Sequence, residues 1–217
     1  KTNDTASQAQ QDQEGNYWDT FVNFDFIYDK RNQKFQTTSG FRSFYSIDVP
    51  IVSEKNTLKN YYNYSHYFDL YENNVSSVSI YLQSANSINN KDIKLSERIN
   101  IPSSKLRGFE SGRVGPKDGD DYIGGNYGYA LNFSSTIPQI FEESQNVDFL
   151  FFVDAANLWG VDYDSSLDDS GSIRSSTGIA LDWFSPIGPL SFSLAYPITK
   201  ESGDKEESFR FNLGTSF

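Results

Sequence analysis

Residues 209–217 read F-R-F-N-L-G-T-S-F, from Phe209 to Phe217, and their alternation decides the fold class. Phe209, Phe211, Leu213, Thr215 and Phe217 share one parity while Arg210, Asn212, Gly214 and Ser216 take the other. A period of two is the signature of a strand with two unlike faces. Such a strand at the end of a chain presents a sheet edge. Soluble proteins blunt apolar edges with charge, proline or early termination, so an apolar strand ending in Phe implies that the edge is used or that the surrounding medium is lipid.

The same unit recurs upstream as alternating stretches separated by polar or Gly/Pro-containing breaks. Trp18, Val22, Phe24, Phe26 and Tyr28 alternate with Asp19, Asn23 and Asp25; Phe41, Tyr45, Ile47 and Val49 follow, then Tyr62, Tyr64, Phe68 and Leu70, then Val78, Ile80 and Leu82. After a long interruption come a Tyr-rich stretch from Tyr122 to Ser135, then Val147, Phe149, Phe151 and Val153, then Ile179, Leu181 and Trp183, then Leu190, Phe192, Leu194, Tyr196 and Ile198. With the terminal strand this predicts nine antiparallel strands over 17–217 and no helix.

Composition narrows the class. Mean hydropathy is −0.57 and no apolar run approaches the length of a membrane-spanning helix. Aromatics make up 16% of the residues, with 14 Tyr and 18 Phe, which suits strands and interfacial girdles and argues against a disordered chain. A formal net charge of −11 argues against nucleic acid, whose phosphates need a concentrated basic surface. Cys is absent and His66 is the single histidine, so neither a zinc site nor a thiolate nucleophile has support. His66 shares the parity of Tyr64 and Phe68 and reads as an interfacial aromatic. Asp118, Asp120, Asp121, Asp162, Asp164, Asp168 and Asp169 do not follow an EF-hand spacing and read as solvated loop carboxylates. Residues 1–16 are polar with little to bury, a mobile loop or tail, and the lack of an initiating Met or signal sequence before Lys1 suggests a piece of something longer.

Consecutive antiparallel strands put alternate connections at opposite ends of a sheet. The breaks 51–59, 88–121, 161–173 and 199–208 therefore share one end, and 29–36, 73–75, 137–146 and 185–189 the other. The first set reads as longer and more acidic. Long loops on one rim and short turns on the other suit an outer-membrane barrel, with the turns on the periplasmic side. A β-sandwich or a lipocalin-like barrel alternates as well, with its apolar face turned inward, and stays open on pattern alone. Single-chain bacterial barrels have an even number of strands, so an odd count suggests part of a larger barrel.

The interruption at 88–121 holds Leu106-Arg107-Gly108-Phe109, then Gly112, then Val114-Gly115-Pro116-Lys117, and Gly124-Gly125-Asn126 opens the next strand. Further on come Phe152, Asp154 and Trp159 in an F-x-D-x-x-x-x-W strand and the stretch S-P-I-G-P-L from Ser185 to Leu190. These features, in this order, resemble the family of barrel-assembly and polypeptide-transport proteins in the outer membranes of bacteria, mitochondria and chloroplasts. The resemblance runs from about Asn16 onward and is strongest after Pro102.

The resemblance implies the last nine strands of a transmembrane β-barrel of about sixteen. It implies that the loop 88–121 folds into the lumen, anchored by Arg107 of Arg107-Gly108-Phe109 against Asp154. Parity agrees: Val147, Phe149, Phe151 and Val153 form the apolar face, so Asp148 and Asp154 point to the other side. Gly124, Gly125 and Asn126 would form the strand entry, with Phe152 and Trp159 completing the family's strand motif. Two departures stand out. Ala156 replaces the Gly that the family commonly places two residues after the strand Asp, and no acidic residue lies between Asn126 and Ile137 to give Arg107 a second carboxylate.

The function implied is non-enzymatic, without cofactor or metal: a machine in the bacterial outer membrane that folds and inserts other β-barrels. Its partners would be membrane lipid, unfolded barrel clients and accessory lipoproteins of an assembly complex. An unfolded strand cannot enter hydrocarbon with unpaired backbone groups, and a seam edge offered as a template lowers that barrier. The lateral gate strand would carry Phe209, Phe211, Leu213, Gly214 and Phe217, with Gly214 favouring a kink. A secretion channel of the same superfamily shares these motifs; a passive porin or adhesin explains the barrel but not the Arg107 and Asp154 motifs.

Overall fold

The computed structural model describes residue 11 and residues 13–15, 18–138, 146–186 and 188–214. Nine strands form one antiparallel sheet whose spatial order is the chain order. They are β1 (Thr20–Asp29), β2 (Gly40–Val52), β3 (Thr57–Phe68), β4 (Ser76–Ser87), β5 (Tyr127–Thr136), β6 (Val147–Trp159), β7 (Arg174–Ser185), β8 (Gly188–Thr199) and β9 (Phe209–Leu213). The all-β antiparallel class predicted from alternation is the one observed. β1 and β9 are the edges.

Register lines the alternating residues into continuous rows. Phe24 lies opposite Ile47, Tyr64 opposite Ile80, Leu131 opposite Ile80, Phe133 opposite Val153, Phe151 opposite Ile179, Leu181 opposite Phe192 and Phe192 opposite Phe211. Among the described residues nothing covers this row: Phe151 is 40% exposed, Phe211 50% and Leu194 54%. The opposite face carries Asp154 and Ser176, both fully buried. A sandwich would have buried the apolar face. Here the bare face is the greasy one, an arrangement that water penalises and hydrocarbon accepts.

Two expectations need correction. The β2–β3 turn is only 53–56, because ladder pairing carries β2 through Val52 and starts β3 at Thr57, while the β1–β2 connection fills 30–39. The asymmetry between the two rims therefore rests on 88–126 and 160–173. Tyr122 does not begin the fifth strand: Asp121–Tyr122 pairs with Lys117–Asp118 inside the long connection, and Gly124, at φ +69, breaks the extended chain before β5. Of the predicted tail 1–16, only residue 11 and residues 13–15 are described, and the Gln13 side chain accepts a bond from the Leu95 amide at 2.8 Å. Phe217, Thr215 and Ser216 lie outside the described residues.

The main core lies between the sheet and the long connection. Ile93, Ile99, Ile101, Leu106, Phe109 and Val114 of the loop pack against Tyr81, Ala85, Ala130, Ala156 and Leu158 of the strands. Small residues on the sheet side let a backbone lie close to the wall. The methyl of Ala156 is absorbed into this cluster, where it is 1% exposed.

Candidate functional site

The loop returns to the sheet through Gly124-Gly125-Asn126. Gly125 makes an antiparallel bridge with Ile99, and a Cβ on it would lie 2.4 Å from the Trp159 carbonyl oxygen, so only glycine lets the two backbones approach. The Asn126 amide then donates to the carbonyls of Trp159 and Gly160, both at 2.9 Å, and its own carbonyl accepts from the Ala85 amide at 2.7 Å. The end of β4, the start of β5 and the end of β6 are thereby tied together.

Upstream, Leu106 and Phe109 bury on either side of Arg107-Gly108. Gly108 has φ +92, and a Cβ there would lie 3.3 Å from the side chains of both Ala195 and Ser176. The left-handed turn aims Arg107 at β6. Arg107 Nε donates to Asp154 Oδ2 at 2.8 Å and Nη2 to Oδ1 at 2.8 Å, while the Arg107 amide adds a third bond to Oδ2 at 3.1 Å. The guanidinium stacks over the Phe152 ring, 3.5 Å from its centroid. The Ser176 hydroxyl donates to the Arg107 carbonyl.

Asp154 is fully buried, and a carboxylate in that position is tolerated only when paired and hydrogen-bonded. Asn132 supplies the remaining donor, with Nδ2 2.9 Å from Asp154 Oδ1 and 2.8 Å from the Lys105 carbonyl. Asn132 therefore occupies the place on β5 where a second carboxylate was sought. Beside it the Lys105 ammonium, 3.4 Å from the Ser79 hydroxyl, is held below the ordinary lysine range by burial, against the pull of Asp154.

The far side of the loop touches the last hairpin. Gly108–Phe109 pairs as a short strand with Glu206–Glu207, and Arg210 Nη2 donates to the Phe109 carbonyl at 2.8 Å.

The sequence-derived residues fall into three groups. Arg107, Gly108, Phe109, Phe152 and Asp154 meet on the covered face; Gly124, Gly125, Asn126 and Trp159 meet at the loop's return. Phe209, Phe211 and Leu213 stand on the bare face of β9, followed by Gly214 at φ +116. Arg210 was expected from parity to face the interior, whereas Asn132 and Ser176 were not singled out from the sequence. Parity marks each as inward-facing and polar, but their partners are set by register and by the path of the loop. The arrangement is suited to holding a loop: Asp154 is saturated with donors, and among the described residues no three His, Cys, Asp or Glu side chains gather to hold a metal.

Comparison with known proteins agrees with the all-β antiparallel fold. The Omp85 superfamily domain matches residues 1–217. The outer membrane protein assembly factor BamA of Neisseria meningitidis serogroup B is 32% identical over 139 residues, 52% of this chain and 17% of that protein. The sorting assembly machinery 50 kDa subunit of Saccharomyces cerevisiae is 30% identical over 121 residues, 52% of this chain and 25% of its own length. The crystal structure of BamA from Haemophilus ducreyi lacking POTRA domains 1-3 superposes with a TM-score of 0.80 at 31% identity, covering 87% of this chain and 41% of that one. This chain thus spans less than half the length of each of these relatives. It belongs to the Omp85 superfamily, and what it matches there is the barrel part of BamA-type proteins of the bacterial outer membrane.

Proposed function

We propose that this chain is the barrel part of a machine that folds and inserts β-barrel proteins into the bacterial outer membrane, offering its terminal strand as a pairing template at a lateral seam. The single observation that carries the reading is the brevity of the last ladder. Among the described residues β9 pairs with β8 only from Leu194↔Phe209 to Leu190↔Leu213, although β8 runs on to Thr199, whereas β6 and β7 pair from Ala156↔Arg174 to Val147↔Trp183. A short ladder is the part of a sheet that opens at least cost, and Gly214, at φ +116 with its amide bonded to the Pro189 carbonyl at 2.9 Å, offers a point for a kink at its end.

On this reading the bare apolar face meets membrane lipid, the long loop occupies the lumen held by Arg107 and Asp154, and the energy for insertion comes from the folding of the client. Unfolded barrel proteins are the clients, and accessory lipoproteins of an assembly complex are the further partners.

The test is a disulfide between β9 and the first barrel strand of the full-length protein, reconstituted in lipid vesicles. Locking the seam should abolish client insertion while the barrel stays folded, and reduction should restore it. Client insertion at the normal rate in the locked protein would refute the template mechanism and leave β9 as the closing strand of a static pore.

A further inference from the structure

The terminal ladder stops for an identifiable reason. The Ala195 amide donates to the Ser208 carbonyl at 2.8 Å, so odd-numbered residues of β8 turn their N–H groups toward β9. The next such residue is Pro197, which has no N–H to give. β8 itself continues to Thr199 on its other side, paired with β7. The chain that would have extended β9 leaves the wall and pairs with the loop instead: Glu206 lies opposite Phe109, Glu207 opposite Gly108, and the Glu110 amide donates to the Lys205 carbonyl at 2.9 Å.

Side chains favour the same branch. Each step back along β9 moves one step forward along β8, so continuing from Leu194↔Phe209 would set Glu207 opposite Tyr196 and Glu206 opposite Pro197. Glu207 shares the parity of Phe209 and Phe211, and zipping onto β8 would place its carboxylate on the bare apolar face beside Tyr196, which is 73% exposed. On the loop branch Glu207 instead accepts from Arg210 Nε at 2.8 Å, while Nη2 of the same guanidinium holds the Phe109 carbonyl at 2.8 Å. The Arg210 side chain is 10% exposed and the Glu207 side chain 38%, so the bond to the Phe109 carbonyl is the better shielded of the two. One residue of the terminal strand thereby grips both the loop and the diverted segment.

We propose that loop residues 108–110 compete with β8 for the leading end of the terminal strand, and that Arg210 is the positioning residue that holds it on the loop. The seam is thereby kept half-zipped, and its state is coupled to loop docking. The consequence for clients rests on the reading of β9 as the seam strand; the competition itself does not.

Residue-resolved hydrogen exchange on the full-length protein in lipid vesicles tests it. Pro197→Ala creates a donor facing the terminal strand. With Arg210 intact the new amide at position 197 should exchange rapidly, and adding Arg210→Gln should slow it by about tenfold or more as the segment zips onto β8. Arg210→Lys in the same background, which keeps a cation and donors, should leave it fast. Protection in Pro197→Ala alone, or fast exchange in the double variant, overturns the competition. If the double variant does not fold, Glu207→Gln replaces Arg210→Gln and is read the same way. Client insertion measured in parallel separates the two ideas: lost exchange coupling with insertion dependent on an unlocked seam refutes only the competition. The expected exchange changes with insertion indifferent to a locked seam refute only the template reading.

Discussion

Asn132 stands directly opposite Asp154 across the β5–β6 ladder and donates to the same carboxylate oxygen that Arg107 Nη2 holds. The amide fixes the carboxylate plane, so the Arg107 fork meets both oxygens squarely. Arg107 and Asp154 are 47 residues apart in the chain.

The coupling of these residues is measurable in a double-mutant cycle. Asp154→Ala leaves the half-buried Arg107 without its partner and should destabilise the full-length barrel by roughly 3–5 kcal/mol in urea titrations, with Arg107→Ala comparable. The double variant should be less destabilised than the sum by at least about 1 kcal/mol. Additive losses would mean that the pair does not anchor the loop. Asn132→Ala should cost about 1 kcal/mol, the worth of one buried hydrogen bond.

Gly125 and Gly171 should respond oppositely to alanine. A Cβ on Gly125 would lie 2.4 Å from the Trp159 carbonyl oxygen, so Gly125→Ala must push two strand ends apart and should cost roughly 1–3 kcal/mol. Nothing lies within 4 Å of a Cβ on Gly171, and Gly171→Ala should be neutral or slightly stabilising. Equal melting temperatures for the two variants would contradict the close approach at the loop's return.

Lys105 should make stability depend on pH at the alkaline end. Burial lowers its folded pKa below the ordinary 10.5, so between the two values the unfolded chain binds more protons than the folded one. Stability should then rise with pH across that window, and the charged form should carry a penalty below it. Lys105→Met removes the group. The difference in unfolding free energy between parent and Lys105→Met should favour the variant at neutral pH and shrink toward pH 10.5. A difference that does not change with pH would show that Lys105 does not titrate differently on folding.

Neighbouring residues of β1 should report different media. Phe24 is 51% exposed on the bare apolar face, while Asp25 is on the opposite parity, facing Ser46. In vesicles of the full-length protein, a spin label at position 24 should relax with lipid-dissolved oxygen and one at position 25 with a water-soluble reagent. The reverse pattern would turn the sheet inside out.

The sequence made the two-faced strands legible because side-chain direction in an extended chain is a local property: residues two apart point the same way whatever lies beyond. Nine strands, the all-β class and the membership of Phe151 and Asp154 in opposite faces follow from that. Strand ends were less legible. β2 and β3 continue through Val52 and from Thr57, where hydropathy no longer alternates and only pairing with a neighbour sustains extension. The motifs around Arg107, Asp154 and Gly125 named these segments through resemblance, but a motif carries no register.

What the sequence by itself determined is therefore the alternation, the placement of glycines where backbones must turn or touch, and the missing N–H of Pro197, which withholds a donor from the neighbour on one side of its strand. Only the tertiary structure decided which inward residues meet. Asn132 faces Asp154, Ser176 reaches the Arg107 carbonyl and Arg210 holds the Phe109 carbonyl because register summed over several strands and the path of one long loop bring them together. Those are non-local quantities, set by the packing of Ile101, Leu106, Phe109 and Val114 against Ala130 and Ala156, and no periodicity in the chain encodes them.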